Sequence, residues 1–422
     1  MHLFLITILI LGIGLFMPAD GHARDLSELI EDVLRNNPRV LSAEKDANAV
    51  KARIPQASAL PDPMFKYSFM GEMLETRLGP QEDMIEIEQE IPFPGKLTAK
   101  RRMASAEFES ATADFEAVTR DVIFQTRSAV YDLWAVNRRL ELLRQTRDWY
   151  APLAASRLAG YAGGESSQKE ALMTQSDLVM IEQDIAMLEQ QKDTLQAKLQ
   201  ELLNTREELS DFDVDAEIKL PEQEPLLEDL LARLDANPDL RRAESMVKRE
   251  THGLKLARQD NRPDIKIGFQ YIGIGDDPMI TDPDAGRDAW AVPVTISLPI
   301  WQNRIRAGIR EAKNGLESAE AMRRQIGNEI IFELKKAYYE YVSQKKVTLL
   351  YRDALIPQAE AASASEEAGY ESGGKDLEAW VLSRRRLLEM RAMYAQTLAQ
   401  TLKSFAEIEK ITGDISDKGH DL

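Results

Sequence analysis

The sequence predicts a mostly α-helical protein with a small membrane β part: a long coiled-coil α-helical barrel plus four β-strands per chain. Three observations carry that prediction. Two stretches of more than sixty residues keep helical spacing with a single proline each. Four short runs alternate apolar and polar residues with a period of two. The same landmarks occur twice, in the same order, about 200 residues apart.

Composition narrows the function. The chain has 422 residues, 44% of them hydrophobic and 29% charged, enough to bury a sizeable core. Acidic residues outnumber basic ones 71 to 53, for a net charge of -18. Nucleic acid is excluded as the main partner, because phosphate binding needs a basic face. There is no cysteine, which removes disulfides, thiolate metal sites, a cysteine nucleophile and lipid attachment through sulfur. The four histidines, His2, His22, His252 and His420, lie far outside metal-ligand spacing. No nucleophile–base pair, metal cluster or phosphate loop is present. The expectation is a non-enzymatic protein with no catalytic residue, resident metal or cofactor.

Leu3 to Met17 is an apolar run of 15 residues interrupted by Thr7, followed by Gly21-His22-Ala23. It is shorter than the ~18–20 residues of a spanning helix and fits a signal-peptide core with a small-x-small cleavage site. Residues 1–23 are therefore read as a signal peptide. A buried core helix is the other reading of the same run.

Asn37-Pro38 recurs as Asn237-Pro238, and Pro63, Lys66 and Phe69 as Pro263, Lys266 and Phe269. Ile91-Pro92 recurs as Leu298-Pro299, Tyr131-Asp132 as Tyr339-Glu340, and Ala159-Gly160-Tyr161 as Ala368-Gly369-Tyr370. Ordered matches at a nearly fixed offset indicate an internal duplication. The expected division is a first repeat over 24–215, a second over 216–413, and a mobile tail over 414–422. Each repeat reads as helix, two strands, long helix, tight turn, long helix.

The first strand spans Met64 to Gly71, with Phe65, Tyr67 and Phe69 on one face. The second spans Met84 to Ile91, with Ile85, Ile87 and Ile91 opposite Glu86, Glu88 and Glu90. The third places Ile265, Ile267, Phe269 and Tyr271 together, and the fourth Trp290, Val292, Val294, Ile296 and Leu298. Pro293 sits badly in the fourth, since proline belongs on strand edges or bulges. The lengths approach the ~9–11 residues of a tilted membrane strand.

Leu97 to Leu158 would make a helix about 93 Å long, and Trp301 to Ala368 one of about 100 Å. Phe108, Ala111, Phe115, Val118 and Val122 recur at three-and-four spacing. Leu178, Ile181, Ile185, Leu188, Leu195, Leu199 and Leu202 keep a heptad register broken by Lys192. Helices of that length must pack on other long helices. Four strands with one greasy face cannot face lipid as an open sheet, and four are too few to close a barrel around a lumen. Several chains would share one barrel, above a tube of helices. A soluble periplasmic coiled-coil scaffold or adaptor is the alternative; it gives no reason for an aromatic strand face of membrane length.

The duplication, the two Asn-Pro starts, the Pro61-Asp62-Pro63 lead into the first strand and the Ile91-Pro92-Phe93-Pro94-Gly95-Lys96 exit from the second resemble the TolC family of outer-membrane efflux proteins. The resemblance covers about Leu26 to Gly413. Phe93-Pro94-Gly95-Lys96 is similar to the heavy-metal (CusC- and CzcC-like) branch. The resemblance implies a homotrimer with one twelve-stranded barrel in outer-membrane lipid, extending into the periplasm. It also implies docking to a periplasmic adaptor protein and an inner-membrane pump, as the exit duct for metal ions or small molecules.

Candidate functional residues follow. Glu86, Glu88 and Glu90 would form acidic rings in the pore that favour cations; an ordinary polar barrel interior accounts for the same pattern. Lys66 and Lys266 could pair with them and blunt the effect. Gly160, Tyr161, Gly164, Gly369, Tyr370 and Gly373 lie where the long helices reverse. They are plain turns, or, as the resemblance implies, also the periplasmic tips that touch the adaptor. Pro152 and Pro357, 8 and 12 residues before Gly160 and Gly369, would bend the helices and draw the tips inward. In the stretch that follows the second tip, Asp376 and Glu378 are the nearest acids. Met64, Met70, Met73 and Met84 read as apolar packing or a cuprous site. Asp276, Asp277, Asp282, Asp284 and Asp288 read as a solvated or calcium-binding loop.

Overall fold

A computed structural model of the chain describes residues 26–164, 167–207, 218–221, 224–276, 278–281, 283–372 and 377–413. The expected signal peptide, the tail after Gly413, Gly373, Asp376, Asp277 and Asp282 lie outside these residues.

Helix α1 (Leu26–Asn36) passes into α2 (Pro38–Lys51) through Asn37, and short α3 (Arg53–Ser58) leads to the first strand. Asn37 is the N-cap of α2. Its side-chain oxygen accepts from the Arg39 amide at 2.9 Å, and Pro38 needs no amide at the first helical position. Its side-chain nitrogen donates to the Leu202 carbonyl at 2.9 Å, near the end of the returning helix. Asn237 repeats this arrangement at the start of α7 (Pro238–Gln259), donating to the Ile411 carbonyl at 2.8 Å. Both asparagines are buried. The repeated Asn-Pro pair thus caps one helix and satisfies a carbonyl near the open end of another.

Strands β1 (Met64–Thr76) and β2 (Gly79–Ile91) form a hairpin; β1 runs past its expected end at Gly71 and β2 begins before its expected start at Met84. Strand β3 (Ile265–Ile274) pairs antiparallel with β2, so the two repeats share one sheet in the order β1-β2-β3-β4. The fourth strand is split into β4 (Ala289–Ala291) and β5 (Val294–Ile296), with the expected trouble at Pro293 between them. Both pieces keep one register on β3, Tyr271 facing Trp290 and Ile267 facing Val294. Pro293 falls opposite Gly268, whose amide donates to the proline carbonyl at 2.9 Å. The return bond is lost because proline has no amide hydrogen.

Helix α4 (Lys96–Gly163) has 68 residues, or about 100 Å. It returns as α5 (Gln168–Leu203) through a turn stopped by Gly164 at φ 78° and restarted by a Ser167–Glu170 capping box. The second repeat enters through α6 (Leu227–Ala232) and α7. Its long helix, α8 (Gln302–Leu350), does not run unbroken. A π turn at Tyr351–Leu355 separates it from α9 (Ile356–Glu371), and α10 (Leu377–Thr412) returns.

Two of the three core clusters lie along α4, and the third packs α8 against α6 and α10 around Leu334 and Tyr341. Near the sheet end, Val122, Val130 and Leu133 pack with Leu29 and Val33 of α1 and Leu199 and Leu202 of α5. Farther out, Val136, Tyr150 and Leu153 meet Ile181, Ile185 and Leu188. Five of the seven heptad residues of α5 are buried; Leu178 and Leu195 are partly so. Charge fixes the register between repeats. Arg241, Arg242, Lys248 and Arg249 of α7 pair in antiparallel order with Glu116, Asp114, Glu109 and Glu107 of α4. Lys410, Glu409, Lys403 and Glu378 of α10 pair with Asp121, Arg127, Asp132 and Arg157. Partly exposed pairs contribute at most about 1 kcal/mol each, so their main effect is alignment.

Candidate functional site

The sheet has two chemically distinct faces. Cross-strand rows put Phe65, Ile87 and Phe269 side by side, then Tyr67, Ile85, Tyr271 and Trp290, then Ile91, Ile265 and Ile296. Alternation sends all of these to one side. In the single chain this face meets no other element: Phe65 is 67% exposed, Phe69 71% and Trp290 70%. Phe269 and Trp290 stack with ring centres 6.5 Å apart. A patch of this size on a monomer marks a surface meant for lipid or a partner.

The other face carries the five predicted charges. Lys66 stands opposite Glu86, its ammonium 3.8 Å from the carboxylate. Lys266 stands opposite Glu90 at 3.8 Å and donates to Glu88 at 3.1 Å. Both lysines therefore pair with the acids, and three carboxylates against two ammoniums leave one net negative charge per chain on this strip. Gly268 faces Glu88 in the same row. A Cβ there would lie 2.9 Å from the Pro293 ring and 3.3 Å from the Ile87 carbonyl oxygen, so the glycine makes room for the proline. Met64 and Met84 share this face by register, opposite Glu88 and Ser68. Among the described residues no group of three or more His, Cys, Asp or Glu could hold a metal ion.

The exit from β2 explains its unusual sequence. The Phe93 amide donates to Asp264 at 2.7 Å, and the buried Lys96 ammonium reaches the same carboxylate at 2.8 Å and Asp260 at 3.6 Å. Arg262 lies over the Phe93 ring. Gly95 has φ 102°, and a Cβ there would fall 2.4 Å from the Gln259 side chain. A lysine at the start of a helix opposes the helix dipole, and the two aspartates offset that. Phe93 to Lys96 thus clamps the first long helix to the lead-in of β3.

The helical tips are joined by Trp149, Arg157, Trp380, Arg384 and Arg385, which the sequence did not single out, together with Tyr370 and Glu378, which it did. Trp380 of α10 meets Trp149 of α4 edge-on at 5.0 Å and stacks with Tyr370 of α9 at 5.4 Å. Arg384 lies over Trp149, and Arg385 lies over Tyr150 while donating to its hydroxyl at 3.3 Å. Arg157 and Glu378 pair at 2.5 Å. Two of the chain's five tryptophans near the two tips were the available signal. Gly160 and Tyr161 lie in the last turn of α4, and Gly369 and Tyr370 in that of α9; Gly164 is the reversal itself. Tyr161 is 44% exposed. Pro152 lies inside an unbroken α4, while Pro357 follows the π turn directly. A π turn widens the helix where a proline ring would otherwise meet the carbonyl four residues back.

A cavity of about 760 Å³ lies beside that π turn, lined by Trp134, Arg138, Arg352, Arg391 and Tyr394 among others. Each of its three arginines already faces a carboxylate, Glu141, Asp353 or Glu360.

Comparison with known proteins agrees with this geometry. The sequence profile of the outer membrane efflux protein family matches residues 29–205 and 230–414. No curated protein matches the chain significantly. Among solved structures, a membrane protein from Pseudomonas aeruginosa superposes with a TM-score of 0.76 at 18% identity, over 92% of each chain. The outer membrane protein VceC of Vibrio cholerae gives 0.74 at 15%, over 92% of this chain and 96% of that one. CusC gives 0.73 at 15%, over 92% and 91%. The chain belongs to the outer membrane efflux protein family and is an outer-membrane exit duct reaching into the periplasm.

Proposed function

We propose that three copies of the chain close one twelve-stranded barrel and let exported metal ions or small molecules pass without chemical change. One observation carries this reading: the apolar sheet face stays exposed in the single chain while both outer strands, β1 and the β4/β5 strand, are unpaired on one side. In lipid every backbone donor needs a partner, so these edges must meet those of other copies. The apolar face then meets outer-membrane lipid. Glu86, Glu88 and Glu90, partly compensated by Lys66 and Lys266, line the lumen as a weakly cation-favouring strip. Two repeats, 24–215 and 216–413, supply equivalent halves of the wall.

The tips at Gly160, Tyr161, Gly164, Gly369 and Tyr370 face a periplasmic adaptor served by an inner-membrane pump, which supplies the energy. Pro152 and Pro357 set the inward lean of those tips. The native mass of protein extracted in detergent from isolated outer membranes tests the assembly. A trimer is expected; a water-soluble monomer or dimer would sink the proposal in favour of a periplasmic scaffold.

A further inference from the structure

We infer that the band of helix next to the sheet is a docking surface for anionic phospholipid headgroups, an inference that rests on the membrane-duct reading above. The chain as a whole carries -18. The twelve residues flanking each strand on its helical side (52–63, 92–103, 253–264 and 297–308) reverse that sign, with ten basic and three acidic residues. The strand ends and turns at the opposite end of the same sheet carry, among the described residues of 75–83 and 275–288, six acidic and two basic residues. The sheet is therefore cationic at one end and anionic at the other.

The cations of the band differ from those elsewhere on the helices. Lys96 is buried and bound to its aspartates. The other nine are exposed, and none forms an ion pair with a carboxylate among the described residues. Farther along the same helices, arginines and lysines are repeatedly zipped to acids on their neighbours. Lys100, Arg101 and Arg102 are consecutive on α4, so they fan over about 200° of the helix and cannot all face a lumen.

Continuity with the apolar face selects the partner. Leu298, Ile300 and Trp301 are 73%, 66% and 71% exposed and lead straight into Arg304 and Arg306. An aromatic side chain followed by exposed cations is the chemistry of a membrane–water boundary: the ring sits at headgroup depth and the cations meet phosphate. A collar of this sign, placed where the hydrocarbon ends, favours lipids with net negative charge and fixes how far the barrel sinks.

The test uses full-length protein extracted in detergent and reconstituted into vesicles of phosphatidylcholine, with and without phosphatidylglycerol. Bound lipid is counted by native mass spectrometry. The wild type should retain phosphatidylglycerol over phosphatidylcholine by roughly tenfold, and less at high salt. A variant with K100Q, R101Q, R102Q, R304Q and R306Q should keep its oligomeric mass and lose the preference. Equal preference in both proteins, or none in the wild type, overturns the inference and leaves the duct intact. A variant that falls apart while still preferring phosphatidylglycerol also overturns it, and assigns the cations to a second copy of the chain. Failure of the wild type to enter either vesicle overturns the duct reading itself.

Discussion

The ammonium of Lys96, the first residue of the longest helix, lies 2.8 Å from the carboxylate of Asp264, the last residue before β3. The two are 168 positions apart and come from different repeats. The pair ties the sheet of one repeat to the helix of the other where strand becomes helix.

Breaking this pair from either side leaves a charge in a largely enclosed place. Lys96→Met or Asp264→Asn should lower stability by about 2–3 kcal/mol, less than for full burial because a quarter of the Asp264 side chain is exposed. Thermal melting followed by circular dichroism measures it. The double variant should recover part of the loss, since no unpaired charge remains.

Charge on the inner strip predicts selectivity. Replacing Glu86, Glu88 and Glu90 together by glutamine turns one net negative charge per chain into two positive ones. Reversal potentials across a planar bilayer under a salt gradient should change sign, from cation- to anion-preferring. An unchanged potential would place the strip outside the conducting path.

Gly268→Val should lower the yield of assembled, heat-resistant oligomer. Its side chain would strike the Pro293 ring and the Ile87 carbonyl, at a cost of about 1–3 kcal/mol. Combining it with Pro293→Thr removes the ring and restores a ladder amide, so the pair should assemble better than Gly268→Val alone.

Pro152→Ala and Pro357→Ala separate bend from composition. The second should allow the Tyr351–Leu355 π turn to relax toward α-helix. If the bends draw the tips inward, closed-state conductance should rise in both variants. Wild-type conductance in both would remove the prolines from any role in closing the mouth.

Acid should weaken the joint between α4 and α10. Burial alone raises the Asp121 pKa, but hydrogen bonds and charge from Lys410 and Arg39 outweigh it and hold the carboxyl below its usual value. A lowered folded pKa means the contribution is complete above about pH 4 and is lost as pH falls through the folded value. Asp121→Asn should cost about 1 kcal/mol at neutral pH, and the gap from wild type should narrow as pH falls through the lowered folded pKa of Asp121.

Much of the fold was legible because it is periodic. Alternation at Phe65, Tyr67 and Phe69 and at Ile265, Ile267 and Phe269 locates strands, and the heptad from Leu178 to Leu202 locates a packed helix. Such patterns report a local face, and a local face is fixed by backbone geometry. Pro293 gave fair warning of the split strand for the same reason. The π turn before Pro357 was not legible, because a proline can be absorbed by a kink, a break or a widened turn with equal local cost.

The sequence by itself determined the duplication, the two sheet faces and the paired Asn-Pro helix starts, since each can be read from the order of residues along the chain. Only the tertiary structure decided that Lys66 and Lys266 pair with the glutamates, that Phe93 to Lys96 clamps onto Asp264, and that Trp149, Tyr370 and Trp380 join the tips. These contacts join segments up to 231 positions apart. Their partners are set by the register in which long helices and strands pack, and shifting a strand by one residue sends every side chain to the opposite face.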